Sequence, residues 1–501
     1  MTPETQLSQA VVTEKNALSW LRFEPALVAL LLLAFMAINF TTSTHYPTPW
    51  GDEAFFADPA TNYATGHGFV STVDVCGDST PHTFFACNVP FYSYVLGNWI
   101  RVFGFSVLST RALNYILFPL AAWVLWGATR RLNLIRTPRA RLLFLLLICL
   151  GYGDSFIFRT VRYDCLGLLL LALALLAYSL RSRSMRLATI AAIGLLLPFA
   201  GLELVCYSFL LGVVLLLYFR GRVIRELIAL GAGIPFGIAG LLGLFAFHGV
   251  LGNFFAQFRL ESVNRLVFFD KDPSLALVFA ACVVLGIDRV RTRSFRPSSP
   301  LAFAIVTGIV IPAGLLATKK FPIYYSWMAY IPLALGFAAE LSRSTVVPSR
   351  AARTLAALAV GLACLLGLPA QLSLAAYYWK DRNVAQVDAL IHKEITKHDW
   401  VYTDPSAYFA VRSATPHVVP FKIFQISEEE KNKVNVLVVP PQAFDEFAEV
   451  IGDGKWYDTG AGIQDHGRDL FPSRSFAILV QQRINFEIYR RVGSASPAKK
   501  Q

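Results

Sequence analysis

The chain has 501 residues, 55% hydrophobic and only 16% charged, with a mean hydropathy of +0.51. This balance excludes intrinsic disorder and favours many membrane spans. The formal charge of +12 lies almost wholly in short loops between apolar runs, so it reports topology and gives a nucleic-acid partner no support.

Residues 1–24 carry mixed charge and are expected to form a cytoplasmic segment. The first apolar run follows them without an Ala-x-Ala-like cleavage site, so it should remain as a span. At about 20 apolar residues per crossing, candidate spans lie near 25–44, 107–128, 140–156, 163–180, 187–203, 204–219, 226–247, 274–288, 299–317, 322–340 and 353–375, about eleven in all. The pair 187–203 and 204–219 is separated only by the break at Pro198–Glu203, which reads equally as a kink. Every second loop is basic: 129–141, 181–186, 220–225, 289–296 and 341–353. Placing these in the cytoplasm puts the N-terminus inside and the alternate loops outside.

The first outward loop, 45–106, opens with Trp50-Gly51-Asp52-Glu53 directly after the first span. Two adjacent carboxylates at a membrane face are a site candidate, the alternative being two solvated loop acids. Cys76 and Cys87, eleven residues apart in the same loop, suit a disulfide in an oxidising compartment, the alternative being two free thiols. The stretch Pro90 to Arg101 has apolar and aromatic residues at helical spacing. It reads either as a helix lying in the membrane interface or as a packing helix of the loop.

The second outward loop, Gly151 to Asp164, holds Asp154, Arg159, Arg162 and Asp164 within fourteen residues. On a helix, Arg159 and Arg162 share a face, and paired guanidiniums near headgroup level suit a phosphate. Alternatively, Arg162 and Asp164 merely anchor a helix end. The fifth outward loop runs Thr318-Lys319-Lys320-Phe321-Pro322-Ile323-Tyr324-Tyr325. Its lysines and tyrosines can hold a lipid phosphate and its sugar, or form an interfacial belt.

Residues 376–492 read as a small outward α/β domain. The segment 374–501 has 16 Lys and Arg against 16 Asp and Glu, so it is neutral. Helices are expected over 384–395 and 444–451, strands at 400–403, 435–439 and 456–457, and a final hairpin from 476–480 and 485–489. Residues 493–501 read as a disordered tail.

Several of these pieces resemble the integral-membrane glycosyltransferases of the GT-C class, in particular the bacterial branch akin to protein O-mannosyltransferases and the lipid A aminoarabinose transferase. They are Asp52-Glu53; Val89-Pro90-Phe91-Tyr92 through Val102-Phe103-Gly104-Phe105-Ser106 to Arg111; Arg162-Tyr163-Asp164; and Lys320-Phe321-Pro322-Ile323-Tyr324-Tyr325. Tyr163 stands where the family usually has Pro. The resemblance covers roughly residues 25–340 and does not extend to the C-terminal segment. It implies a polytopic α-helical catalytic domain over 25–375 in a bacterial inner membrane. It also implies transfer of a sugar from a polyprenyl-phosphate donor to a glycan, lipid or protein acceptor at the outer face.

The residues fit that reaction. A lipid phosphate is already a good leaving anion, while the acceptor hydroxyl must lose a proton, for which Asp52 is the natural base. Glu53 would orient Asp52 or bind an acceptor group, and Asp154 would hold sugar hydroxyls or help place the acceptor. Arg159, Arg162, Lys319 and Lys320 would stabilise charge on the departing phosphate, and Asp164, Tyr324 and Tyr325 would bind substrate. The resemblance implies a single displacement that inverts the sugar carbon, and no covalent nucleophile stands out. A divalent metal is open: His45, His67 and His82 share the loop with Asp52, and His248 ends another span, at no standard ligand spacing. A transporter or lipid flippase would need charges deep in the spans, whereas these gather at the outer rim. A non-catalytic scaffold leaves the acid pair and the arginines unexplained.

Overall fold

The computed structural model describes residues 3–492 apart from 77–79, 81, 220, 261–271, 318–322, 344–346, 422–426, 453 and 465–483, with side chains from Phe23 onward except 258–260. Lys319, Lys320, the expected strand at 476–480 and the tail from 493 lie outside the described residues.

The helices that frame the site are α1 (Pro3–Thr42), α2 (Gly51–Ala64), α3 (Phe91–Phe103), α4 (Val107–Arg131), α5 (Pro138–Leu150), α6 (Tyr152–Ile157), α7 (Asp164–Ala177), α8 (Arg183–Ala200), α9 (Leu202–Phe219) and α10 (Ile224–Phe247). Among the described residues, eight helices are long and apolar enough to cross a membrane: Phe23–Thr42 of α1, then α4, α8, α9, α10, Pro273–Arg291, Pro300–Ala317 and Arg350–Tyr377. The other three of the eleven apolar runs make shorter helices. The run at 140–156 is cut at Gly151, where α5 ends and α6 begins; α7 has 14 residues; and the run at 322–340 becomes a 17-residue helix, Trp327–Arg343. α7 keeps its outward end, starting at Asp164, and stops at Ala177 ahead of a turn at Tyr178 and Ser179. The pair 187–203 and 204–219 forms two helices meeting at Gly201.

Large apolar side chains, among them Phe209, Leu217, Phe236 and Phe247, stand exposed on the helix exteriors. Water penalises such a surface and a bilayer does not. Inside the bundle some of the buried charges are paired. Arg141 of α5 grips Glu24 of α1 through two hydrogen bonds of 2.5 and 2.6 Å, and the Trp126 indole of α4 donates to the same carboxylate at 2.8 Å. Without a hydrophobic force between helices in lipid, close backbone approach carries the packing. The α8–α10 contact shows this: a Cβ on Gly233 would lie 2.1 Å from the Ala191 carbonyl oxygen, and one on Gly237 would lie 2.2 Å from that of Leu195.

The first outward loop folds into α2 and α3. Tyr92, Leu96 and Ile100 of α3 are buried, and Gly97 lets α3 press against α2, since a Cβ there would sit 2.8 Å from the Ala60 carbonyl oxygen. Val102 and Phe103, at the far end of α3, are exposed. One face of the helix therefore packs into the loop, and one apolar end is left uncovered. Cys76 and Cys87 are disulfide-bonded, with Cα atoms 5.5 Å apart.

The C-terminal segment carries a four-stranded sheet of order β1-β2-β4-β3, with β1 (Val401–Thr403), β2 (Val436–Val439), β3 (Trp456–Gln464) and β4 (Asn485–Arg491). β1 and β2 are parallel, and β4 is antiparallel to both β2 and β3. The strand expected at 456–457 runs on to Gln464, through an irregularity between Asp458 and Gly462 that includes Gly460 at φ +72°. Main-chain bonds tie this segment to the first outward loop: Val384 N–H donates to the Thr44 carbonyl at 3.0 Å and Phe421 N–H to that of Val73 at 2.9 Å.

Gly233→Ala is expected to lower the thermal unfolding temperature of the purified protein, because the added methyl meets backbone at overpacking distance, a cost of about 1–3 kcal/mol. Gly231→Ala on the same helix, where a Cβ meets nothing within 4 Å, should leave that temperature unchanged or raise it.

Candidate active site

Asp52 and Glu53 sit in the first turn of α2, where the helix dipole favours negative charge. Their surroundings differ sharply. Glu53 is fully buried and locked in a two-pronged bond to Arg111 of α4, itself fully buried: Nε donates to Oε1 at 2.8 Å and Nη2 to Oε2 at 2.6 Å. The Val161 N–H also donates to Oε1 at 2.9 Å, and Arg111 Nη1 donates to the Ser43 carbonyl at 2.5 Å. One ion pair therefore joins the end of α1, the start of α2, α4 and the turn after α6.

Asp52, by contrast, keeps 34% of its side chain exposed while pairing with Arg162, which is 2% exposed. Arg162 Nε donates to Asp164 Oδ2 at 2.9 Å, the Trp327 indole donates to Asp164 Oδ1 at 2.9 Å, and the Arg162 guanidinium lies 3.9 Å from the centroid of the Tyr324 ring. Burial works against the Arg162 charge, but Asp164 and Asp52 outweigh it and hold the guanidinium firmly protonated. Behind it, the Tyr163 hydroxyl lies 2.6 Å from that of Tyr325 and donates to Glu203 Oε2 at 2.9 Å. Asn114 of α4 fixes the turn from below, donating to the carbonyls of Thr160 (2.5 Å) and Arg162 (2.8 Å). Asp52, Arg162, Asp164, Tyr324 and Tyr325 are thus brought into one cluster.

Arg159 is not part of it. Residues 158–163 form turns rather than a helix, so Arg159 and Arg162 do not share a face. The Arg159 side chain is fully buried and turns toward Thr42 Oγ1 (2.5 Å) and the Tyr46 carbonyl (2.9 Å). Its Nε and Nη1 have no hydrogen-bond partner among the described residues, and burial lowers its pKa. Asp154 in α6 is also buried, with both oxygens unpartnered among the described residues. Burial first and the Asp272 carboxylate second push its pKa well above the ordinary aspartate value. Asp272 is held by Ser326 (2.5 Å) and by the Leu275 N–H (3.0 Å).

Residues absent from the sequence-level site belong to it structurally. Arg111 is an arginine inside an apolar run, a signal in itself; Trp327, Asn114 and Asp272 carried none. Asp58, six residues beyond Asp52 on α2, is fully buried and accepts from Thr72 N–H (2.6 Å), Ser71 Oγ (3.1 Å), Tyr408 Oη (2.9 Å) and Arg412 Nε (3.2 Å). The last two come from the C-terminal segment, which therefore grips the same helix that presents Asp52.

Among the described residues, no group of three or more His, Cys, Asp and Glu is arranged to hold a metal ion. His45 stacks on Trp379 at 3.5 Å and His248 on Phe84 at 3.9 Å, so both are engaged in packing.

No protein-family model matches the sequence, and no curated protein is significantly similar to it. Solved structures are. ArnT from Cupriavidus metallidurans bound to undecaprenyl phosphate aligns with a TM-score of 0.59 and 14% identity over 95% of this chain and 99% of that one. Its apo form aligns at 0.57 with 15% identity, over 95% and 98% of the two chains. The fold is that of the GT-C glycosyltransferases. The mycobacterial arabinofuranosyltransferase AftD aligns at 0.50 with 12% identity, over 93% of this chain and 40% of its own length. The likeness to ArnT spans both the helical bundle and the C-terminal segment, for which the sequence alone offered no match.

Arg111→Met should destabilise the protein by about 3–5 kcal/mol, since it strands the buried Glu53 charge; Glu53→Gln added to it should recover part of the loss in the same thermal unfolding assay. Asp154 gives a signed pH dependence. With its folded pKa raised, the folded state holds a proton that the unfolded state releases, so stability declines as pH climbs through the ordinary aspartate value of about 3.9 and levels off above the folded pKa. Asp154→Asn should flatten that decline and leave the protein more stable than the parent at pH 7.

Proposed function

We propose that the protein is a membrane glycosyltransferase that moves a sugar from a polyprenyl-phosphate donor to an acceptor hydroxyl at the extracytoplasmic face, with Asp52 as general base. The observation that carries this reading is the asymmetry of the acids. Of Asp52, Glu53, Asp154 and Asp164, Asp52 alone is substantially open, and it touches a buried, permanently charged arginine. A base must reach substrate, and the guanidinium beside it suits a phosphate. The likeness to an ArnT structure that holds undecaprenyl phosphate supports a lipid-phosphate donor.

In this mechanism the acceptor oxygen attacks the anomeric carbon as the bond from that carbon to the phosphate oxygen breaks. The acceptor proton passes to Asp52, the polyprenyl phosphate leaves as an anion, and the single displacement inverts the carbon. Arg162 stabilises the departing charge, with Lys319 and Lys320 joining it. An arginine-paired carboxylate is a weak base. A donor phosphate that draws Arg162 toward itself makes Asp52 a stronger one, so donor binding and base activation are coupled. Glu53 acts as a positioning residue through Arg111, and Asp164 aims Arg162. Tyr324 and Tyr325 border the sugar position, while Asp154 supports the neighbouring turn. The N-terminus lies in the cytoplasm of a bacterial cell, and the C-terminal domain faces outward over the acceptor.

Asp52→Asn is expected to lower release of polyprenyl phosphate from a polyprenyl-phosphate sugar in membranes by about 10²- to 10⁴-fold while the donor still binds. Transfer at the parental rate would remove Asp52 as the base. Lys320→Ala should raise the donor concentration needed for half-maximal rate more than the acceptor's; an unchanged donor dependence counts against its phosphate role.

A further inference from the structure

Neighbouring helices α4 and α7 differ greatly in length. α4 has 25 residues and α7 has 14, so at 1.5 Å per residue they are about 38 and 21 Å long, against a hydrocarbon core of about 30 Å. Where α7 stops, a flank of α4 is left uncovered on the face that carries the arginine-rich loops. Trp123, Trp126, Gly127, Arg130 and Arg131 of α4 and Leu176 of α7 enclose a cavity of about 450 Å³ there.

The chemistry of this hollow is specific. The hollow is lined by two indoles, Trp123 exposed and Trp126 buried, whose ring centroids are 4.9 Å apart. The Arg130 guanidinium lies 5.6 Å from the centroid of the Trp126 ring. Arg130 and Arg131 are both exposed, and neither forms an ion pair with a carboxylate among the described residues. The nearby acid, Glu24, has both oxygens taken by Arg141 and the Trp126 N–H. Two exposed guanidiniums, of which Arg130 also feels the Glu24 carboxylate, therefore stand at the rim of an apolar, aromatic hollow at the end of α4 that leads into the basic loop. A topology signal needs only the charges; it does not need a concave surface beside them.

We propose that this cavity binds an anionic phospholipid of the leaflet next to the basic loops. The phosphate lies between Arg130 and Arg131, the glycerol portion rests on Trp123 and Trp126, and an acyl chain fills the membrane volume left by the short α7. Guanidinium forks match phosphate oxygens, and basic pockets between helices are a recognised headgroup chemistry. Filling space beside a short helix also offsets hydrophobic mismatch. The site is separate from the Asp52 cluster and does not depend on the reaction assigned to it.

The test is native mass spectrometry of the full-length protein, delipidated in detergent and then offered dioleoyl phosphatidylglycerol or dioleoyl phosphatidylcholine. The parent protein should retain the phosphatidylglycerol roughly tenfold more strongly. The double variant Arg130→Ala, Arg131→Ala should bring the two lipids close to parity. Gly127→Phe keeps both arginines but fills the hollow, with nothing within 4 Å of its Cβ to obstruct it, and it too should abolish the preference. This second variant decides the matter even if the double variant fails to fold. Equal retention of the two lipids by the parent, or a preference that survives in either variant, overturns the proposal.

Discussion

Glu53 and Arg111 meet where neither is touched by water, and the acid-bearing end of the molecule is organised around their contact. A buried ion pair contributes little net stability compared with apolar packing, because the desolvation of both charges offsets most of their attraction. What it imposes here is geometry. The two parallel bonds accept one orientation of carboxylate and guanidinium, and the spare valences reach Ser43 and Val161. Four separate pieces of chain are thereby brought to one point, and the residue before Glu53 is left facing outward.

That arrangement is reinforced from the far side. α2 is held at Glu53 by a membrane helix and at Asp58 by Tyr408 and Arg412 of the C-terminal segment. The C-terminal α/β unit is thus part of the support of the acid-bearing helix and not merely a cap placed over it. Arg162 completes the frame. Asp164 and Trp327 aim it from behind, Tyr324 lies against its face, and its remaining valence is offered to Asp52. A cation fixed by a fully buried carboxylate and shared with a partly open one is arranged to exchange the second partner for an incoming anion, since only that partner is reachable.

Much of this was legible in the residues. Apolar runs of span length, separated by loops that alternate between arginine-rich and acid-bearing, describe a helical membrane bundle without reference to packing. The Asp52-Glu53 pair and Arg162 were identifiable by the cost of placing charge at a membrane face. Other features were not legible, for identifiable reasons. Arg159 and Arg162 have helical spacing, but α6 ends at Ile157 and the turns that follow send the two side chains apart. Three apolar runs fell short of span length at different points: one is cut at Gly151, α7 ends at Ala177 ahead of the turn at Tyr178 and Ser179, and the last helix begins only at Trp327. The extension of β3 through Gly460 follows from pairing with β4, where the expected strand covered only 456–457.

By itself the sequence determined the solvent of each segment: hydrocarbon for the apolar helices, water for the neutral C-terminal portion, and a charged boundary between them. These follow from composition and spacing, which act locally. Which acid stays open and which is sealed was decided only in three dimensions. Asp52 and Glu53 are adjacent and chemically alike; they differ because Arg111, 58 residues beyond Glu53, reaches one of them, while Arg162 leaves a third of the other's surface uncovered. Desolvation depends on everything that surrounds a group, and that is a property of packing which no local pattern contains.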